Sequence, residues 1–106
     1  MTRLDETIAV AVIPATPGAP AGKLADLELH FTEGALAGLK LLGFTLWEGR
    51  GERGPSVSLP ARSYVVDGER RSFNLLRPAG DGQAHETLRD TLSALCLSEI
   101  PVSSDR

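Results

Sequence analysis

The chain has 106 residues, 42% hydrophobic and 24% charged, with 14 acidic against 11 basic side chains. That is one domain's worth of core, and a net charge of −3 excludes a uniformly cationic nucleic-acid coat. The single cysteine, Cys96, excludes an internal disulfide and every cysteine-based zinc knuckle.

Asp5 and Glu6 stand where a signal peptide carries positive charge, and the apolar run at residues 8–13 is too short to span a bilayer. The expected protein is therefore cytoplasmic, with no membrane partner. Residues 1–106 are read as one domain, with an ordered core at 7–97 and a polar tail at 101–106.

Residues 7–13, TIAVAVI, are β-branched and apolar at both parities, which predicts a strand buried on both faces. Pro14 stops it. Residues 14–22 hold three prolines and two glycines and are expected to form a loop. In LADLELHFT, residues 24–32, Leu27, Leu29 and Phe31 alternate with Asp26, Glu28, His30 and Thr32, the pattern of a half-buried strand.

Glu33 and Gly34 signal a turn. The next strand, LKLLGFTLW at 39–47, puts Leu39 and Leu41 on one face and Leu42, Phe44 and Leu46 on the other, so both faces read as apolar. A glycine-rich turn at 48–56 then leads into VSLPARSYVV, where Pro60 cannot donate a ladder hydrogen bond and demands a bulge, a bend or an edge.

Asp67 and Gly68 are the strongest hairpin signal in the chain and place RRSFNLLR antiparallel to the segment before them. Asp81 is positioned to cap a helix over residues 83–97, whose Leu88, Thr91, Leu92, Leu95 and Cys96 recur at three-and-four spacing.

The expected architecture is α+β: a four- to five-stranded, mainly antiparallel sheet with one C-terminal helix packed on one face. One helix covers one face of such a sheet. Strands apolar on both faces then call for a second copy of the chain, so a homodimer through the sheet is expected, with Leu42, Phe44, Leu46 and Trp47 at its interface.

The order GKLADLELHF, LKLLGFTLW, VSLPAR, DGERRSF and a helix introduced by Arg77 and Pro78 resembles the SpoVG septation-regulator family. Gly22 with Lys23, the triplet Pro60, Ala61 and Arg62, and the hairpin Asp67, Gly68 and Glu69 carry the likeness, which spans roughly residues 7–97. The resemblance implies a small β-rich dimer that binds DNA or RNA and regulates rather than catalyses. The chain departs from that family in its acidic balance, its longer apolar third strand, its expanded glycine-rich turn and its lack of a basic tail.

Charge is unevenly spread. Between residues 49 and 77, six arginines face Glu52, Asp67 and Glu69, a surplus of +3 that leaves −6 on the rest of the chain. Arg50, Arg53, Arg62, Arg70 and Arg71 are the candidate phosphate contacts, because a planar guanidinium reaches two phosphate oxygens at once. Tyr64 is the candidate stacking face for a base. The bland alternative is that these arginines keep the hairpins soluble. A different class of function, a protein-interaction module using an apolar sheet face or edge, requires no nucleic acid.

Asp26, Glu28 and His30 share a strand face, but same-face neighbours lie roughly 7 Å apart, too wide for one ion without ligands from a second strand. A solvated face is expected there, and neither metal nor cofactor. His85, in the first helical turn, is expected exposed, and Cys96 is expected in the core. With no nucleophile and orienting base in view, an enzyme is not expected.

Overall fold

The computed structural model describes residues 1–49 and 54–97. The strands are β1 (Thr2–Arg3), β2 (Ile8–Pro14), β3 (Lys23–Phe31), β4 (Lys40–Trp47), β5 (Ser56–Ser58), β6 (Ala61–Val66) and β7 (Glu69–Asn74), followed by helix α1 (Ala84–Leu97). The class is α+β and every pairing is antiparallel. Strands β1 to β5 form one sheet in sequence order, whereas β6 and β7 pair only with each other.

Alternation decides which side of the sheet becomes the core. Ile8, Val10 and Val12 of β2 stand on the same side as Ala25, Leu27 and Leu29 of β3 and join Phe44, Leu46 and Val57. Leu92 and Cys96 of α1 close this cluster, fully buried, with Leu88 and Leu95 half-buried beside them. Thr91 is outside the seam: its hydroxyl donates to the Thr87 carbonyl, 2.8 Å away. Gln83, two residues after Asp81, is the residue that precedes the helix.

The second apolar face expected of the strand at 39–47 is absent. Leu27 faces Phe44 while Leu29 faces Leu41, so β4 carries one extra residue against β3. This bulge centres on Leu42 and Gly43, with Gly43 at φ +105°, a conformation that L residues rarely adopt. It resets the parity of the strand. Leu41, Phe44 and Leu46 all turn to the core, and Leu42 is left outside, 53% exposed.

On the opposite face, β2 contributes Ala9, Ala11 and Ile13 in place of its larger side chains. Around them stand Asp26, Glu28, His30, Lys40 and Thr45, a polar surface that water can cover. The predicted burial of β2 on both faces thus holds on one side only: on the other Ala9 is buried, Ala11 half-buried and Ile13 exposed.

Pro60 resolves as a bend. The segment read as one strand is cut into β5, which belongs to the main sheet, and β6, which leaves it. Pro60 is buried against Gly43: a Cβ on that glycine would stand 2.8 Å from the Pro60 Cβ. Leu59 and Leu76 pack on the core at the base of the β6–β7 ribbon, just before and just after it in the chain, and Leu75 N–H donates to the Pro60 carbonyl at 2.9 Å. Strand β1, too short for any periodicity to announce, pairs with Ala9 and Val10 at the far edge.

Candidate nucleic-acid interface

Asp67 and Gly68 both adopt positive φ, 53° and 80°, as a two-residue hairpin turn requires, and they set Val66 opposite Glu69. Counting back from that pair gives Tyr64 opposite Arg71 and Arg62 opposite Phe73. Side chains alternate along each strand, so Arg62, Tyr64, Val66, Glu69, Arg71 and Phe73 share one face. Ala61, Ser63, Val65, Arg70, Ser72 and Asn74 share the other.

All twelve strand residues of the ribbon are exposed, and among the described residues no other element makes more than marginal contact with it. It projects as an arm. On its aromatic face the Tyr64 and Phe73 rings lie 5.7 Å apart between centroids and 59° from parallel. Arg71 donates to Glu69 Oε1 at 3.1 Å, both side chains being largely in water, where such a pair is weak and exchangeable. Arg62 and Arg70 form no ion pair among the described residues.

Of the five arginines expected to meet phosphate, Arg62 and Arg71 are thus gathered with Tyr64, while Arg70 points from the opposite face. Arg50 and Arg53 lie outside the described residues, as does the tail at 101–106. Phe73 joins the site although sequence reasoning did not single it out. The signal was present, since a two-residue turn fixes every cross-strand pair beyond it.

The expected interface residues part company. Phe44 and Leu46 are wholly buried inside the chain's own core and leave no apolar surface for a second copy. Trp47 is half-buried, its indole N–H donating to Ser58 Oγ at 3.0 Å on the open face of the sheet. Only Leu42 of the four is exposed.

The row Asp26, Glu28 and His30 is held by ion pairing. Glu28 Oε1 accepts from His30 Nε2 at 2.9 Å and from Lys40 Nζ at 3.3 Å, and Asp26 pairs with Lys23 at 3.0 Å. The hydrogen bond from His30, and then the Lys40 ammonium, hold the Glu28 carboxyl below its ordinary range despite some desolvation. Among the described residues no three potential metal ligands stand together.

His85 is half-buried rather than exposed, and it lines a small cavity together with Leu76, Pro78 and Leu88. A groove of about 500 Å³ between β5 and α1 is crossed by Arg89, whose Nε donates to the Val57 carbonyl at 3.1 Å. Among the described residues its titratable groups are Glu86, Arg89 and Asp90, which come with Ser56 and Ser93 but with no histidine, lysine or cysteine.

No helix among the described residues is long and apolar enough to cross a membrane. No protein-family model, curated protein or solved structure matches the chain.

Proposed function

We propose that this chain is a small nucleic-acid-binding accessory or regulatory protein, a homodimer that contacts DNA or RNA phosphates through the arginines of its β6–β7 arm. The observation that carries the reading is the gathering of Arg62, Arg71, Tyr64 and Phe73 on one face of an arm that stands clear of the body. The body is acidic, so a polyanion is attracted to the arm and repelled elsewhere. The pattern shared with the SpoVG family supports the same function. Leu36, Leu39 and Leu42, exposed and three residues apart in the sequence, support a second copy near the bulge, because water-facing leucines favour burial.

The test is fluorescence anisotropy with labelled DNA and RNA oligonucleotides at several salt concentrations. Each phosphate contact contributes about −0.7 to −0.9 to the slope of log K against log salt. Replacing Arg62, Arg70 and Arg71 together by Ala is expected to flatten that slope by about 2 and to leave the fold intact. Absence of binding at low salt refutes the reading. Light scattering at micromolar concentration tests the dimer, and a stable monomer refutes it.

The second reading, a protein-interaction module, is favoured by Val65 and Val66, which put an exposed apolar side chain on each face of the arm, and by exposed Leu75 beyond it. Tyr, Phe and Arg are also the side chains in which protein interfaces are rich. Failure of all oligonucleotides to bind, together with a protein partner lost on Val65→Asp, would select it.

A further inference from the structure

Resting on that nucleic-acid reading, we infer that the arm selects single-stranded over duplex nucleic acid, with one base on Tyr64, one on Phe73, and phosphates on Arg62 and Arg71. The four positions form a two-by-two checkerboard. Arg62 faces Phe73 across the ladder, Tyr64 faces Arg71, and each aromatic lies along its own strand from an arginine two residues away. Every aromatic therefore has a guanidinium both beside and across from it.

The spacing excludes bases that remain stacked on each other. Tyr64 and Phe73 stand on different strands, diagonally across the ladder, where same-face positions are roughly 7 to 8 Å apart. Successive bases in a duplex strand advance by about 3.4 Å. The rings of Tyr64 and Phe73, 5.7 Å apart and inclined by 59°, present two surfaces that no single parallel stack can meet. Two bases that land on them have separated from one another, which a single strand does at small cost and a duplex does not.

The tip of the arm argues the same way. A two-stranded ribbon can enter the major groove of DNA. Here the turn is Asp67 and Gly68, followed by Glu69, so groove insertion would drive two carboxylates between the phosphate rails. A strand lying across the arm nearer its base, over Arg62 and Phe73, keeps clear of Asp67 and meets Glu69 only where phosphate displaces it from Arg71. Tyr64 and Phe73, 40% and 42% exposed, remain within reach of it.

The probes are a 15-nucleotide DNA strand, the RNA strand of the same sequence, and the DNA strand annealed to its complement. The single strands are expected to bind at least tenfold more tightly than the duplex. Tyr64→Leu and Phe73→Leu keep apolar bulk and remove the π-face; each is expected to weaken single-strand binding by about 5- to 150-fold. The salt slope is expected to stay unchanged in both, since no phosphate contact is removed.

Should either leucine variant unfold the arm, Phe73→Trp in a Trp47→Phe background reports stacking directly. Its fluorescence is expected to be quenched by the single strand and not by the duplex. Equal or tighter duplex binding, with the leucine variants unaffected, overturns this inference and leaves the arginine reading standing. Binding by none of the three probes overturns both.

Discussion

Gly43→Ala tests the contact on which the departure of the arm depends. At φ +105° any residue with a Cβ is strained by about 1 to 3 kcal/mol. The new methyl would also stand 2.8 Å from the Pro60 Cβ and 3.3 Å from its Cα, and both belong to a ring and a backbone that cannot swing away. Forcing such a group into a packed site costs a further 1 to 3 kcal/mol, roughly. The expected loss is therefore about 2 to 6 kcal/mol, a large share of the roughly 5 to 15 kcal/mol that holds a domain of this size.

Urea denaturation followed by Trp47 fluorescence measures it, with the midpoint falling and the slope unchanged if the native fold persists. The packing part is separable. In a double-mutant cycle with Pro60→Gly, which removes the opposing Cβ, the penalty of Gly43→Ala is expected to shrink by about 1 to 3 kcal/mol while the backbone part stays. A loss below about 0.5 kcal/mol in the single variant would show that neither the bulge nor its contact with Pro60 is as described.

Leu92→Ala, at a wholly buried position where α1 meets the sheet, is expected to lose about 2 to 5 kcal/mol in the same assay. The Cys96 thiol is equally buried, so a water-soluble thiol reagent is expected to label it only as fast as the protein unfolds, and fully in urea. Glu28 titrates below its ordinary value of about 4.3, so its contribution to stability is present above that pH and fades as pH falls through the lower folded value. Glu28→Gln is accordingly expected to flatten the fall of Tm with acidification below about pH 5, and an unchanged acid limb would contradict the His30 and Lys40 contacts.

Much of the fold was legible because its causes are local. Strict alternation in residues 26–32 marked the core face of β3, and Asp67 with Gly68 marked the hairpin, since few other residue pairs accept two consecutive positive φ angles. The three-and-four spacing of Leu88, Leu92 and Leu95 marked the helix and the side of it that meets the sheet. The arm face was equally written in the chain: once the turn is placed, the pairs Tyr64 with Arg71 and Arg62 with Phe73 follow by counting.

Tertiary structure alone decided the rest. Residues 39–47 read as apolar on both faces because periodicity assumes an unbroken pleat, and the bulge at Gly43 breaks it where Pro60, distant in sequence, presses on the strand. The same proline announced an interruption without saying whether the chain would resume in the sheet or leave it. That choice turned on Leu59, Pro60 and Leu76 being buried or half-buried against the body while residues 61–75 stayed in water. Alternation reports what a residue prefers to face; which surface stands opposite is settled only when segments far apart in the chain compete for the same buried volume.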